Sequence, residues 1–286
     1  MAVREIRRWL VVCIACVPCV ACASFAFALG TSPSLPFTSV TGNGSTYILS
    51  QVDGGNSAAC EQVNSVSLSL KQLLAGITYS TSCITADGIA TANIDAYIQM
   101  TTTGIEAWAT GTGEANADGG ASAFSKHDYY GRIEFDSTIV RRVKIDMAMQ
   151  ASGLSTVYVK LQRIGNVGGG GAPSPSTIAE ELNSYINPMT LDGAWVLTLP
   201  IGRWKLYAYT AQQCQSTTAG FEFGDTNLEF SVNVVSDGDV DGNGVVNTAD
   251  ILAVIGAWGS CSGCAEDLDG DGLVGVSDVL TVIGSW

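Results

Sequence analysis

Apolar side chains alternate with polar or small ones through much of the middle of the chain. The pattern is clearest from residue 143 to 149, where Val143, Ile145, Met147 and Met149 are separated by single polar or small residues. A repeat of two is typical of a strand with one buried face. Similar runs, bounded by clusters of turn-forming residues, predict strands at Thr46–Gln51, Ser65–Leu70, Ile94–Met100, Tyr130–Asp136, Val140–Met149, Thr156–Ile164, Trp195–Leu199, Trp204–Thr210 and Leu228–Val235.

These short strands predict a mainly-β fold. Residues 45–235 are long enough for one sizeable core, and we expect a β-sandwich of the jelly-roll type there. Residues 29–44, rich in Ser, Thr, Pro and Gly, are interpreted as a lead-in segment. One short helix is predicted at Ser176–Ile186, with Ser176 as its cap and Glu180 near its first turn.

Residues 236–286 follow a different pattern, and the pattern occurs twice. Ile251, Val254, Ile255 and Trp258 lie at i, i+3, i+4 and i+7, which predicts a helix with one apolar face. The same stripe returns 28 residues later as Val279, Val282, Ile283 and Trp286. Two short helices of this kind can bury their stripes against each other or against a partner. We therefore predict a small all-α tail.

Each of these helices follows a twelve-residue loop with the ligand spacing of a calcium site. Ca²⁺ prefers six to eight oxygen ligands, which such a loop supplies from positions 1, 3, 5, 7, 9 and 12. The predicted ligands are Asp239, Asp241, Asn243, the Val245 carbonyl, Asn247 and Asp250 in the first loop, and Asp267, Asp269, Asp271, the Leu273 carbonyl and Asp278 in the second. We expect two calcium ions, one in each loop.

Position 6 of the loops and the charge of the tail agree with this interpretation. Position 6, where the backbone turns sharply, is Gly244 in one loop and Gly272 in the other. Position 9 of the second loop is Gly275, where water is expected to replace a side-chain ligand. Residues 236–286 hold nine Asp or Glu and no Lys or Arg, so the carboxylates repel one another unless a cation is bound. The alternative is a pair of acidic turns that bind no ion.

The duplicated loop–helix unit resembles a type I dockerin module, a half EF-hand used twice. The resemblance covers about 50 residues and implies calcium binding, an EF-hand-like tail, and docking to a cohesin-like or cell-surface protein. Dockerins commonly carry a Ser-Thr type pair at loop positions 10 and 11. Here those positions hold Thr248-Ala249 and Val276-Ser277.

The N-terminus has the features of a secretory signal peptide. Arg4, Arg7 and Arg8 precede an apolar run from Trp9 to Phe27, and cleavage is expected after Ala28, which gives a signal peptide of residues 1–28. Cleavage at Ala23, a retained membrane anchor and a lipoprotein attached at Cys22 remain as alternatives. We expect a secreted, extracellular or cell-surface protein that is not held in a membrane after cleavage.

An exported protein meets an oxidising compartment, so we expect disulfide pairing among the five remaining cysteines. The simplest pairing is Cys60–Cys83 and Cys261–Cys264, with Cys214 left over. The net charge of −14 and the lack of a basic patch in the sequence argue against nucleic acid as a partner.

The sequence contains little evidence of a catalytic site. His127 is the single histidine, no G-x-S-x-G motif occurs, and we interpret His127 as a surface or loop residue. Candidate glycosidase carboxylates are Glu134 and Asp136 on one strand face, with Glu106, Glu114, Glu180, Glu181 and Glu222 as further choices. Trp195, Trp204, Tyr207, Tyr209, Tyr129 and Tyr130 could form a sugar-stacking platform or pack in the core.

Two functions follow as hypotheses. The first is a secreted, noncatalytic β-sandwich that acts as a binding or surface module, carries a calcium-binding dockerin-like tail for docking, and has carbohydrate among its candidate ligands. The alternative is a dockerin-tethered carbohydrate-active enzyme of the glycoside hydrolase type, which would act in polysaccharide catabolism.

Overall fold

Alternating burial along the strands organises the molecule into two face-to-face sheets. The computed structural model describes residues 36–54, 59–168, 170–171, 176–184, 188–217, 220–261, 264–269 and 271–286. The predicted signal peptide, residues 1–28, lies outside the described residues. Among the described residues, no helix is long and apolar enough to cross a bilayer.

The first sheet contains six antiparallel strands, and one short helix follows its edge strand. In spatial order the strands are β2 (Cys60–Ser69), β1 (Thr38–Gly54), β6 (Ala121–Ser137), β11 (Gly202–Ser216), β8 (Leu154–Gly165) and β9 (Ser176–Ser184). Helix α1 (Leu70–Ala75) follows β2, and its capping box joins Ser69 and Gln72. Leu73 of this helix is fully buried and anchors it to the core.

The second sheet also contains six antiparallel strands. In spatial order they are β10 (Met189–Leu199), β7 (Arg141–Ala151), β12 (Gly220–Val234), β5 (Gly104–Ala117), β4 (Gly88–Met100) and β3 (Ile77–Thr85). The tail adds helices α2 (Thr248–Gly256) and α3 (Val276–Gly284) and the two-residue strands β13 (Gly259–Ser260) and β14 (Leu273–Val274).

Strands β5 to β12 follow the jelly-roll order. In one sheet β12 lies between β5 and β7, and β10 pairs with the other side of β7; in the opposite sheet β11 lies between β6 and β8, and β9 pairs with β8. Strands β1 and β2 extend one sheet, and β3 and β4 extend the other. The predicted mainly-β sandwich of jelly-roll type is confirmed.

The main core lies between the two sheets. Trp204, Ile133 and Leu206 from the first sheet are at most 2 % exposed, and they pack in one cluster with Ile145 and Phe230 of the second sheet. Burying a side chain of this size stabilises the fold by about 1.5–3 kcal/mol. The inward-facing side chains of each strand thus pack in the core, and the outward-facing side chains are available for binding.

The helix predicted at Ser176–Ile186 is wrong for its described part. Ser176–Ser184 forms β9, which pairs with β8 so that Leu182 lies opposite Val157 and Ile178 opposite Leu161. Residues 185 and 186 lie outside the described residues. Ile178 and Leu182 are four positions apart, a spacing that a helix face and a strand face share, and pairing with β8 decided the outcome.

The lead-in segment and the histidine also need correction. Strand β1 begins at Thr38, inside the segment predicted as a lead-in at 29–44. His127 is fully buried in β6 instead of lying on the surface or in a loop, and its Nε2 lies 3.2 Å from Thr226 Oγ1. A Cβ at Gly111 would overlap the imidazole ring, so the facing strand makes room for the ring by carrying glycine.

The cysteines pair as the sequence predicts. Cys60–Cys83 joins the two sheets with a Cα separation of 5.7 Å, and Cys261–Cys264 closes a short loop in the tail with a separation of 5.9 Å. Cys214 is free and buried in β11.

Candidate functional site

The tail folds around a small apolar core of its own. Val254 of α2 and Val282 of α3 are fully buried, and Val240 and Val274 of the two loops pack against them. The inner half of each predicted stripe therefore packs as expected. The outer half does not, because Ile255, Trp258, Ile283 and Trp286 are each about half exposed or more.

The first loop brings three of its predicted ligands together. Carboxylate oxygens of Asp239, Asp241 and Asp250 lie within 4.8 Å of one another, with Asp239 and Asp250 buried. Gly244 takes a φ of +89° at the turn and donates its N–H to Asp239 Oδ2 at 2.9 Å. The positive φ explains why position 6 requires glycine.

Asp239 provides the test of whether a cation fits this loop. The side chain is 1 % exposed, and no described group donates a hydrogen bond to its buried Oδ1 atom. A buried carboxylate oxygen without a partner is costly unless a cation or a donor completes its surroundings. The carboxylates, the amide oxygen of Asn243 and the nearby carbonyls form an oxygen-only donor set, which suits a hard cation such as Ca²⁺.

Asp250 connects this loop to α2. Its Oδ1 accepts N–H bonds from Val240 at 2.7 Å and Asp241 at 3.2 Å, and its Oδ2 accepts one from Asn247 at 2.8 Å. Burial would raise the pKa of Asp250, but these N–H donors outweigh it and hold the pKa below its ordinary value. The carboxylate is therefore ionised at neutral pH. Asn247 caps the helix by accepting from Ala249 N.

The second loop repeats this arrangement with a different acidic cluster. Carboxylate oxygens of Asp267, Asp269 and Asp271 lie within 4.8 Å of one another. Gly272 has a φ of +88° and donates to Asp267 Oδ2 at 3.0 Å. Asp278 is buried beside the cluster, where its Oδ1 accepts from Leu268 N at 2.7 Å and its Oδ2 from Gly275 N at 2.7 Å.

The remaining predicted ligands lie at the rim of the loops. Asn243 Oδ1 accepts from Val245 N at 2.8 Å, and the Val245 carbonyl accepts from Asn247 Nδ2 at 3.1 Å. The side chains of Val245 and Leu273 are more than half exposed, so only their carbonyls are candidates for metal binding. Six of the predicted ligands thus meet in the two acidic clusters, and the role of the others stays a prediction.

The outer side of the first sheet carries a second candidate site that sequence reasoning found only in part. Tyr130, Tyr209 and Tyr158 lie directly opposite one another on β6, β11 and β8. Tyr207 lies two residues from Tyr209, with its ring 5.9 Å from that of Tyr130. We call these four residues the tyrosine face. Three neighbouring strands give it a width of about 10 Å.

Polar groups border the tyrosine face. Lys205 lies 5.4 Å from the ring of Tyr207, and Tyr209 donates to Asp128 at 3.4 Å. Burial, together with the charge of Asp128, raises the pKa of Tyr209 to about 12, and burial also raises the pKa of Tyr130. The phenols of Tyr209 and Tyr130 therefore stay neutral and can donate hydrogen bonds at physiological pH.

The predicted aromatic platform separates into two groups. Trp204 and Tyr129 are 2 % and 0 % exposed and belong to the core, and Trp195 packs against the core. Tyr130, Tyr207 and Tyr209 are on the outer face, where Tyr158, which no sequence pattern indicated, joins them. Strand register could not be read from the sequence, so nothing in it placed Tyr158 beside Tyr209.

The predicted carboxylate pair is held in ion pairs. Glu134 lies 3.1 Å from Lys205 and 3.3 Å from Arg203, and Arg203 is 3.7 Å from Asp136. Burial would raise the pKa of Glu134, but the nearby cations hold it below its ordinary value. The general acid of a glycosidase needs a raised carboxyl pKa, so these surroundings do not favour that role for Glu134.

Comparison with known proteins identifies no family for this chain. No protein-family model matches the chain, and no curated protein is similar to it in sequence. Among solved structures, it is similar to a family 11 carbohydrate-binding module from Clostridium thermocellum in complex with a β-1,3-1,4-mixed-linked tetrasaccharide, at 9 % identity, with 64 % of this chain and 95 % of that chain covered. The TM-score is 0.20, so the likeness carries no argument about fold or function.

Proposed function

We propose that the chain is an exported, noncatalytic binding protein whose tail holds two Ca²⁺ ions. The observation that carries the calcium proposal is the buried, unpartnered Oδ1 of Asp239 among the clustered carboxylates of the first loop. Asp239, Asp241 and Asp250 would bind one ion, and Asp267, Asp269 and Asp271 the other. The two disulfides are compatible with export.

Calcium would act here as a structural ion. It would neutralise the repulsion within each acidic cluster and hold the loop against the start of its helix, so binding and folding of the tail are coupled. The expected result of calorimetric titration of the full chain is two sites. Asp239→Ala should remove one site and Asp267→Ala the other, whereas Asp118→Ala, at an exposed turn in the sandwich, should remove neither.

Titration that shows no binding, or equal binding by Asp239→Ala and the wild type, would contradict the calcium proposal. Mg²⁺ serves as the competing ion in the same experiment. It keeps its water shell more firmly and requires a more regular octahedral site, so it should bind these flexible loops more weakly than Ca²⁺.

The helices of the tail favour a docking role for the calcium-loaded module. Leu252, Ile255 and Trp258 of the first repeat are 66, 50 and 54 % exposed, and their counterparts 28 positions later are similarly exposed. Repeated apolar exposure of this kind is typical of a protein-binding surface. In line with the dockerin resemblance, we propose a cohesin-like domain as the partner.

Surface plasmon resonance against a panel of cohesin domains tests the docking proposal. Leu252→Asp combined with Leu280→Asp should abolish capture without changing the number of calcium sites. Capture that is unaffected by the double substitution would place the interface elsewhere on the chain.

A second proposed activity belongs to the sandwich. The tyrosine face offers apolar ring faces bordered by hydrogen-bonding groups, which is the chemistry that binds the apolar and hydroxyl surfaces of a sugar. We propose a soluble polysaccharide as its ligand. In affinity electrophoresis through gels that contain soluble polysaccharides, the wild type should be retarded. Tyr207→Ala and Tyr209→Ala should lose this retardation.

Tyr97→Ala is the matched control for that experiment. Tyr97 stacks on Trp108 at 5.6 Å on the outer side of the second sheet. If Tyr97→Ala loses retardation and Tyr207→Ala keeps it, the sugar binds the opposite sheet. If no polysaccharide tested retards the wild type, the proposal is wrong.

A further inference from the structure

Arg142 lies on the outward side of the second sheet, yet it is only 6 % exposed. Along β7 the neighbouring residues Val143 and Ile145 face the core, whereas Lys144 and Asp146 face outward. Arg142 shares the outward side with Lys144, so the sandwich itself does not bury it. The tail covers it instead.

The guanidinium of Arg142 bonds one backbone carbonyl in the first loop and one just before the second loop. Its Nη2 donates to the Val240 carbonyl at 2.8 Å, and its Nη1 donates to the Ala265 carbonyl at 2.6 Å. Val240 lies between the predicted ligands Asp239 and Asp241, and Ala265 lies two residues before Asp267. A planar guanidinium can hold two carbonyls at a fixed separation, which a lysine ammonium cannot do in the same way.

One peptide group links Arg142 to the acidic cluster. The carbonyl of Val240 and the N–H of Asp241 belong to the same peptide bond, so the peptide accepts from Arg142 on one side and donates to Asp250 on the other. Hydrogen bonds in such a chain strengthen each other. Arg142 therefore acts on the orientation of the peptide that joins Val240 to the predicted ligand Asp241.

The charge of Arg142 is balanced by the tail. Burial lowers the pKa of Arg142, and the carboxylates of Asp239, Glu266, Asp237 and Asp250 oppose that effect. A buried cation is tolerated where nearby anions and hydrogen bonds replace water. The tail supplies both.

Two backbone features bring the first loop onto the sandwich. Val235 N donates to the Arg142 carbonyl at 3.1 Å, which leaves only a short connection between β12 and Asp239. Gly242, with a φ of +69°, lies so close to the sandwich that a Cβ there would be 2.6 Å from Val196 Cγ2 and 3.4 Å from Lys144 Cδ. The tail is thus packed on the edge formed by β7 and β10.

We propose that the tail docks on its own sandwich through Arg142, and that this contact and calcium binding stabilise each other. The inference rests on the proposed calcium function. Arg142 is a positioning residue: it orders the entries of both loops and would not bind the ion. Its positive charge disfavours Ca²⁺ nearby, but it bonds to backbone carbonyls, and each cluster of three carboxylates keeps a net negative charge with the ion present. The proposal requires that the ordering of the loops by these two carbonyl bonds outweighs the repulsion between Arg142 and the ion.

The test compares full-length Arg142→Met and Arg142→Lys with the wild type by calcium calorimetry and by limited proteolysis. Arg142→Met should weaken binding at one or both sites about tenfold or more and expose the connection near Ser236 to protease at low calcium. Arg142→Lys keeps the charge without the two-carbonyl fork and should restore only part of the affinity. Arg163→Met, which removes a guanidinium bonded to Ile201 and Asn166, should behave as the wild type.

A second variant addresses the case in which Arg142→Met fails to fold. Val196→Lys leaves Arg142 and every predicted ligand in place but puts bulk against Gly242 on the outer side of an edge strand. It should weaken calcium binding and increase cleavage in the same direction. A wild type that binds no calcium removes the proposed calcium function. If the wild type has two sites and both Arg142→Met and Val196→Lys bind calcium as tightly as the wild type or more tightly, the docking inference is wrong and the calcium function stands.

Discussion

His127 should give the sandwich a stability that falls as the pH is lowered from 7.5 to 5. It is the single histidine of the chain and is fully buried, with Nε2 near Thr226. Burial lowers its pKa to about 4, an effect that the nearby polar groups of Gln212 and Thr112 only partly offset. In the unfolded chain the pKa returns to about 6.5.

The sign follows from which state binds the proton. Between pH 6.5 and 4 the unfolded chain binds a proton at His127 and the folded chain does not, so acid favours unfolding. The stabilisation is fully present above pH 6.5 and is lost as the pH falls through 4. A shift from 6.5 to about 4 corresponds to about 3 kcal/mol in total, of which about 2 kcal/mol is lost between pH 7.5 and 5.

Urea unfolding of the wild type and of His127→Gln at pH 7.5 and pH 5.0 measures this loss. EDTA is present throughout, so that calcium affinity does not add its own pH dependence. The carboxylates are common to both proteins, and their contribution cancels in the difference. The free energy of unfolding of the wild type should fall about 2 kcal/mol more than that of the variant. Equal falls, or an imidazole that titrates near 6.5 by NMR in the folded protein, would refute the reasoning.

Three further outcomes follow from buried groups. Burial raises the pKa of the Cys214 thiol to about 12, so its reaction with a thiol reagent at pH 8 should be at least about a thousandfold slower in the folded protein than in urea. Replacing both Cys60 and Cys83 by alanine opens a loop with a sequence separation of 23 and should lower the urea-derived free energy of unfolding by about 3 kcal/mol. Val282→Ala removes fully buried methyl groups from the tail core. The tail should lose about 2 kcal/mol of stability, which weakens calcium binding about 30-fold. Leu280 is 61 % exposed, so Leu280→Ala should leave the calcium affinity measured by calorimetry unchanged.

Local chemistry explains what the sequence could predict. The ligand spacing of the loops lies within twelve consecutive residues, and the alternation along β7 lies within eleven, so both patterns are complete in one short window. The Cys60–Cys83 pair was likewise a choice among few cysteines. The structure arranges the loop residues into two acidic clusters, and calcium binding itself stays a prediction.

Partners far apart in the sequence explain the rest. Arg142 meets carbonyls 98 and 123 residues later, and no pattern around it distinguishes it from Arg141. Tyr158 joins Tyr209 only through the register of β8 on β11. The tail helices show the same limit, because a single apolar stripe predicts burial without saying how much of the stripe the neighbouring helix can cover.

The two surfaces of the tail make docking on its own sandwich compatible with docking to a partner. Arg142 covers the entries of the loops, at Val240 and Ala265, whereas the exposed apolar residues lie on the helices, at Trp258, Trp286 and the positions before them. A contact at the loop entries therefore leaves the helical surface free. It also reduces the freedom of the tail relative to the sandwich, and a partner bound by an already ordered module pays less entropy on binding. The arginine that orders the loops would thus favour calcium and partner binding by the same means, because it reduces the entropy lost when either ligand binds.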